Sequence, residues 1–256
     1  MLYVAVRAAR KAGDMIARAF DERDDLKIHQ KSDRDYVTEI DQRAESAIIR
    51  EISRHYPDHG IVAEEQGERV NPGASMQWYI DPLDGTTNFI HGYPHFAVSI
   101  SAWKDGKPFL AVIHDPMRDE TFEAKNGGGA FLNRRRLRVS DEKRLGHALF
   151  ASGIPSYQRE HMDLFQRRMD VCMRSMDGYR RGGSAALDLA YVAAGRLDVY
   201  WEAGLKSWDI AAGLLLVQEA GGIATDIDGS TVDLEKGDVL AANPHMHNKV
   251  SKLLKV

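Results

Sequence analysis

The stretch Gln77-Trp-Tyr-Ile-Asp-Pro-Leu-Asp-Gly-Thr-Thr-Asn-Phe89 decides how the rest of the chain is read. Its apolar start reads as a buried strand that ends at Asp81, because Pro82 brings no N–H to a sheet ladder. A second carboxylate, Asp84, follows three residues later. Gly85 and the hydroxyls of Thr86 and Thr87 come next, where a short helix is expected to begin. Two acids at the carboxyl end of a strand, facing a helix N-terminus, can hold a divalent cation beside a bound phosphate.

The segment before it repeats the pattern. Pro57-Asp58-His59-Gly60 is a turn and Ile61-Val62-Ala63 a short buried strand, which also finishes in acids, Glu64 and Glu65. If the two strands are neighbours in one sheet, their acids converge at its carboxyl edge; taken alone, the paired glutamates read as a solvated loop. Further upstream, residues 2–20 place Leu2, Val6, Ala9, Gly13, Ile16, Ala17 and Phe20 at helical spacing. Thr38 reads as the N-cap of a second amphipathic helix carrying Ala44, Ile48, Ile49 and Ile52. Asp41 falls in its first turn, where a carboxylate complements the helix dipole. Lys27–Val37, between the helices, alternates weakly and reads as a strand or a mobile loop.

Downstream, Phe96–Trp103 and Phe109–His114 form strands joined at Asp105-Gly106, a hairpin signal. Glu120–Ala124 and Ala130–Leu132 continue the meander. Asn133–Val139 contains Arg134, Arg135, Arg136 and Arg138; without interleaved aromatics it reads as a solvated hairpin rather than an RNA-contacting run. Near Asp141–Gly146 the pattern changes to alternating strand and helix. The expected division is an N-terminal α+β metal-binding domain over 1–143 and a C-terminal α/β domain over 144–256 that completes the site. There, His147–Ser152, Asp177–Arg181, Leu197–Trp201, Ile223–Asp226 and Val239–Ala241 read as strands, and Glu160–Met173 as a helix. Ser184 reads as the cap of a small-residue helix running through Ala194. Ser207 reads as the cap of the helix Trp208–Ala220, and Asn243-Pro244 as the opening of a terminal helix.

Composition narrows the function classes. A formal net charge of -4 over 256 residues gives no electrostatic case for nucleic acid as the main ligand. The single cysteine, Cys172, excludes an internal disulfide and suits a reducing cytosol; inside a helix it reads as a small core residue. No apolar run approaches the ~20 residues that cross a bilayer, and the basic, amphipathic N-terminus does not read as a signal peptide. A cytoplasmic protein with no membrane association is the expectation. Ser184 and His161 do not make a nucleophilic triad, since the Gly-x-Ser-x-Gly elbow is missing. His245 and His247 are spaced as a possible chelate, but no acid or Cys stands close in sequence and they are not read as a metal site. Asp81 and Asp84, separated by two residues with proline directly after the first, do not match the signature of aspartyl-nucleophile phosphatases. Four places instead join carboxylates to an element end: Glu64, Asp81 with Asp84, Glu202 and Asp209. An all-oxygen set points to a hard cation such as Mg²⁺, and clustered acids point to more than one.

Asp81-Pro-Leu-Asp-Gly-Thr-Thr-Asn88, preceded by Ala63-Glu-Glu65 and followed by Trp208-Asp-Ile-Ala-Ala-Gly213, resembles the inositol monophosphatase family over essentially the whole chain. Gly183-Ser-Ala-Ala-Leu-Asp-Leu-Ala-Tyr-Val-Ala-Ala-Gly195 and Gln218-Glu-Ala-Gly-Gly222 look most like its bacterial SuhB-type branch. The resemblance implies a layered αβαβα sandwich and Mg²⁺-dependent, lithium-sensitive hydrolysis of a phosphate monoester. The ester implied first is inositol 1-phosphate; fructose 1,6-bisphosphate, a nucleotide 3′-phosphate and histidinol phosphate are the alternatives. It implies that Glu64, Asp81 and the carbonyl of Leu83 hold a first metal, that Asp81, Asp84 and Asp209 hold a second, and that a third ion sits near Glu64. The attacking water would be oriented by Glu64 and by Thr86 paired with Asp41. Backbone N–H groups of Gly85 and Thr86 would take the phosphate. Asp84, Gly183, Ser184, Ala185, Glu202 and Asp209 would face the substrate, and Lys31 would lie on a mobile loop over it. Family members are commonly homodimers, and the SuhB type is also linked to RNA polymerase and antitermination complexes, a binding role. Two departures stand out: Ala63 where many members have glycine, and Ile154-Pro155-Ser156 in place of a segment that is often aromatic.

Overall fold

The computed structural model describes residues 1–22, 39–66, 71–154 and 160–256, together with the backbone alone of 28–32 and 35–38. Two sheets separate three helical layers. The larger sheet has seven strands in spatial order: β3 (Gly60–Ala63), β4 (Met76–Asp84), β5 (Ala97–Lys104), β6 (Lys107–Asp115), β7 (Glu120–Lys125), β8 (Gly129–Leu132) and β9 (Arg135–Arg136). Only β3 and β4 run parallel; the rest is an antiparallel meander. The β5–β6 turn is at Asp105 (φ 50°) and Gly106 (φ 72°), two left-handed residues that match the twist of the strands. The smaller sheet combines β10 (Leu149–Ser152), β11 (Gly178–Arg180), β12 (Val199–Glu202), β13 (Ile223–Thr225) and β14 (Val239–Ala242) in the order β11-β10-β12-β14-β13. Its first three strands are parallel, so their carboxyl ends share one edge. A separate pair, β1 (Ile28–Ser32) and β2 (Asp35–Thr38), forms an antiparallel hairpin. Lys31 lies in β1, and its side chain is outside the described residues.

Residue patterning places the helices. Helices α1 (Leu2–Asp21) and α2 (Glu39–His55) each have one apolar stripe, and they cover the outer face of the larger sheet. Helices α5 (Ala185–Ala193) and α6 (Ser207–Glu219) are apolar almost all round: every residue from Ile210 to Val217 is buried. Such helices need cover on two sides. They lie between the sheets, joining Ala111, Ile113 and Phe122 of the larger to Tyr200, Val239 and Ala241 of the smaller. On the far face of the smaller sheet, α4 (Met162–Ser175) and α7 (His247–Leu253) pack over Phe150, Val199, Trp201 and Leu240. Strand β12 shows the division by its period of two: Tyr200 points to the middle layer, and Val199 and Trp201 to the outer one. The result is the αβαβα sandwich. Cys172 is a buried residue of the outer layer, as its helical setting implied.

Several boundaries differ from the sequence reading. Strand β4 does not end at Asp81 but continues to Asp84 through a bulge. Helix α6 is capped at Lys206, not at Ser207, because Asp209 reaches back to the Lys206 N–H (2.8 Å). The segment 145–147 is a single 3-10 turn, so β10 begins only at Leu149. The terminal helix starts at His247; Asn243 prepares it by accepting from His245 N and Met246 N (2.9 and 3.0 Å).

The middle layer depends on one close approach. A Cβ at Gly213 would stand 2.4 Å from Leu189 Cβ, nearer than packed side chains come, so α5 and α6 touch through the missing side chain. Gly213→Ala is expected to lower stability by about 1–3 kcal/mol through overpacking. Gly73→Ala, with nothing within 4 Å of the new methyl, should stay within about 0.5 kcal/mol of the parent. Urea denaturation of both variants checks the pair; equal midpoints would refute the packing account.

Candidate active site

The acids meet because the two sheet strands that carry them are neighbours. Ala63 of β3 pairs with Ile80 of β4, and Glu64 N extends the pairing by donating to Ile80 O (3.2 Å). The turn after Glu64 is held from α2 by Glu45, a fully buried carboxylate that accepts from Glu65 N (2.7 Å) and Gln66 N (2.9 Å). On β4, Asp81 pairs with Ser99 and Asp84 with Ala97, so Pro82 and Leu83 together oppose Val98 alone. In a regular strand residues three apart face opposite sides. The extra residue cancels that and puts Asp81 and Asp84 on the same face, as Ser99 and Ala97 are. Pro82 sits where no ladder donor is required, and Asp81 Oδ1 closes the bulge by accepting from Leu83 N (2.9 Å).

Gly85 follows with φ 101°, a left-handed value that glycine adopts freely. A Cβ there would stand 3.1 Å from His95 O and 3.3 Å from Gly183 O, so the position is also tight. Helix α3 (Thr86–Ile90) starts immediately afterwards. The Thr86 hydroxyl faces Asp41 Oδ1 (3.1 Å) and the Leu83 carbonyl (3.0 Å). Asp41 is fully buried, so dipole complementation alone does not describe its role. Asn88 Nδ2 donates to His95 O (2.7 Å) and to Gly182 O (2.9 Å), joining α3 to the turn before α5.

From the other half of the chain, Ser184 caps α5 by accepting from Leu187 N (3.3 Å). Its hydroxyl donates to Asp84 Oδ2 (2.5 Å), which also accepts from Ala186 N (2.7 Å). Asp84 therefore terminates two elements, the strand it belongs to and the helix it faces. Gly183 turns with φ 84° between Arg181 and Asn88, with no room for a side chain. Glu202 ends β12, is buried, and accepts from the Tyr200 hydroxyl (2.9 Å).

Electrostatics couple the acids to one another. Burial, then the charges of Glu64, Asp84 and Asp209, hold the Asp81 carboxyl well above the ordinary carboxylate range. Asp209 is raised by burial and by Asp84 and Glu64. Burial lifts Asp84 to about 6 although Ser184, the helix N–H groups and Arg181 oppose it. Burial likewise lifts Glu202 to about 7, against Arg181 and Tyr200. Asp84 and Asp209 keep part of their surface open to solvent but lie deep beneath surrounding atoms, and this depth dominates. Among the described residues no three His, Cys, Asp or Glu side chains already stand at metal-ligating geometry. The mutual repulsion is nonetheless that of one cluster, and its all-oxygen chemistry fits a hard divalent cation, which would neutralise it.

Sequence reasoning missed Glu45, Arg181 and Asp188. Asp188 is buried in the first turn of α5, raised by burial and by the charges of Glu202 and Asp84. Arg181, exposed, is the cation whose charge reaches Asp84, Asp188 and Glu202. Its place before Gly182-Gly183 was the available signal. His245 and His247 are apart in role: one faces Asp141 (3.1 Å), the other Thr225 (2.8 Å). Arg134, Arg135, Arg136 and Arg138 are exposed at the β8–β9 hairpin. Pro155 and Ser156 lie outside the described residues. No helix among the described residues is long and apolar enough to cross a membrane.

The model of the inositol monophosphatase family matches residues 1–255. The chain is 50% identical over 247 residues to a Pseudomonas aeruginosa protein named Nus factor SuhB, covering 95% of this chain and 91% of that one. It is 45% identical over 255 residues to a Mesorhizobium japonicum protein named inositol-1-monophosphatase, covering 100% and 96%. The crystal structure of the extragenic suppressor protein suhB from Bartonella henselae superposes with a TM-score of 0.95 at 43% identity, covering 99% of this chain and 97% of that one. With a family match from end to end and a shared fold at a TM-score of 0.95, the chain belongs to the inositol monophosphatase family.

Proposed function

We propose that the protein hydrolyses inositol 1-phosphate, or a closely related small phosphate monoester, with Mg²⁺. The observation that carries this reading is the convergence of Glu64, Asp84 and Asp209 on Asp81 beside a helix start. Asp81 and Asp84, aligned by the β4 bulge, would hold Mg²⁺ together with Glu64, Asp209 and the Leu83 carbonyl. When bound, Mg²⁺ supplies the Lewis-acid charge that activates water and stabilises the phosphoryl group and departing alkoxide.

The chain's own groups do the rest. The Thr86 hydroxyl, giving its proton to Asp41, presents lone pairs to the attacking water and so orients it with Glu64. Backbone N–H groups of Gly85 and Thr86 at the start of α3 are free of α-helical partners and would receive phosphate oxygens. Gly183, Ser184, Ala185 and Glu202 form the facing wall, where Glu202 would accept hydrogen bonds from polyol hydroxyls when ionised. Lys31 would approach from the β1–β2 hairpin. The division of labour between residues 1–143 and 144–256 follows: metal ligands come mainly from the first, the wall and Asp209 from the second. Dimerisation, cytoplasmic location and lithium sensitivity belong to the same reading.

A second reading, a binding protein acting in transcription complexes, is favoured by the relatives named Nus factor SuhB at 46–50% identity. RNA polymerase capture by wild type and by an Asp84→Asn variant discriminates: equal capture with hydrolysis lost supports a binding role beside the catalytic one.

Asp84→Asn keeps one oxygen able to accept from both Ser184 and Ala186, so the fold should persist. Loss of its charge should cost on the order of 100-fold or more in kcat/KM for inositol 1-phosphate. Full retention of activity would overturn the assignment. Metal linkage gives an independent test. Saturating Mg²⁺ at about 100 times its Kd should stabilise the fold by ~2.7 kcal/mol, or ~5–10 °C in Tm for a chain of this size. Asp209→Asn should shrink that shift, and a Tm indifferent to Mg²⁺ and EDTA would refute the metal site.

A further inference from the structure

Strands β10 and β12 are parallel neighbours, so their carboxyl ends form one edge. Glu202 stands on the inner side of that edge. Gly153 is against it: a Cβ there would lie 2.5 Å from Glu202 Oε2. Immediately over the edge, toward α4, is a cavity of about 330 Å³ lined by Gly153, Ile154, Leu164, Phe165, Trp201 and Ala203. That volume falls in the ~300–1,000 Å³ range of small-molecule sites. Gly153 belongs to both places, and Ala203 is the residue after Glu202. The cavity thus begins one residue beyond the wall that faces the substrate, on both strands.

Its chemistry differs from that of the wall. Aliphatic and aromatic side chains make one part of its lining, and His161, Arg168, Lys236 and Asp238 supply the polar part. The cations at its rim are already engaged: Lys236 lies 2.7 Å from Asp226 and 3.0 Å from Asp238, and Arg168 Nε donates to Leu254 O (3.2 Å) while the same two acids act on its charge. Apolar side chains beside lysine and arginine charges that are already compensated suit a neutral, ring-sized body rather than a second anion. The period of two in β12 explains the contrast, since Glu202 faces the acids and Trp201 faces α4.

We propose that the substrate site continues over this edge and accepts phosphate monoesters whose leaving alcohol carries an apolar ring. The inference rests on the phosphatase reading above. Water's oxygen bonds phosphorus, the P–O bond to the alcohol breaks, and the alcohol oxygen takes up a proton while its ring stays in the cavity. The specificity wall then has two parts, a polar one at Glu202 and an apolar one at Trp201, Phe165 and Leu164.

The test compares inositol 1-phosphate with 1-naphthyl phosphate, and measures binding of free 1-naphthol by quenching of tryptophan fluorescence. Leu164, half-buried on α4, is replaced by Trp to fill the cavity and by Ala to enlarge it. Leu164→Trp should lower kcat/KM for the naphthyl ester by about tenfold or more, through KM. Inositol 1-phosphate should change by less than about twofold, and Leu164→Ala should retain both substrates. Naphthol should bind saturably to wild type and not to Leu164→Trp. Ala203→Leu fills the cavity from the opposite wall if melting shows that Leu164→Trp is misfolded. The proposal is overturned if filling the cavity affects both esters equally or neither, or if naphthol does not bind. Saturable naphthol binding that Leu164→Trp abolishes, in a protein that hydrolyses neither ester, would refute the phosphatase reading and leave the cavity's ligand class standing.

Discussion

The contact on which the site depends is the carboxylate of Asp84 at the N-terminus of α5. One oxygen accepts from the Ser184 hydroxyl and the Ala186 N–H, two groups a hundred residues away in sequence. A carboxylate at a helix start is favoured by the unpaired N–H groups and the helix dipole. The same bond fixes where the middle helical layer meets the bulged strand of the larger sheet. Asn88 repeats the connection a few residues on, holding His95 O and Gly182 O with one amide nitrogen. The acidic corner and the wall facing it are therefore registered by hydrogen bonds, not only by apolar packing. Gly85 and Gly183 are glycines because these two segments approach too closely for side chains, and both turn with positive φ.

Much of this was legible in the sequence. The amphipathic stripes of α1 and α2, the all-round apolarity of α6 and the apolar runs of β5 and β6 translate directly into outer helices, a middle helix and a central meander. The convergence of Glu64 with Asp81 needed only the inference that two short apolar runs ending in acids are neighbours. What escaped was tertiary. A proline after Asp81 reads as a strand end, yet a bulge supplies a place with no ladder donor, and the strand continues. Ser207 looks like a cap, but Asp209 reaches the preceding N–H first. Glu45 appears as one more charge on an amphipathic helix, since nothing local shows that its partners are the backbone of residues 65 and 66. Asp188 is hidden for the same reason: a lone acid among alanines and leucines shows its burial only when α5 is placed between the sheets.

The wall facing the acids is shaped by a simpler rule. Because successive residues of a strand point to opposite faces, the end of β12 must present different chemistry to the middle and outer layers. Tyr200 and Glu202 go to the interior beside α5, where a hydroxyl and a buried carboxyl satisfy each other. Val199 and Trp201 go to α4, where apolar cover is available. One strand end therefore supplies a polar contact and an apolar contact within two residues.

The gathered acids set the remaining condition. Asp81, Asp84, Asp209 and Glu64 cannot all be ionised together in a deep, low-dielectric site without a counter-charge. Burial and mutual repulsion therefore raise the carboxyls of Asp81 and Asp209, which favours their protonated forms. A divalent cation would replace those protons, so binding it should release them. Arg181 is too exposed to substitute for it: its charge lowers Asp84, Asp188 and Glu202 without overcoming their burial. The cluster is thus poorly suited to stabilise the fold by itself. Its arrangement, held in place by Glu45, the β4 bulge and the α5 cap, has the all-oxygen chemistry and charge that a hard divalent cation would neutralise.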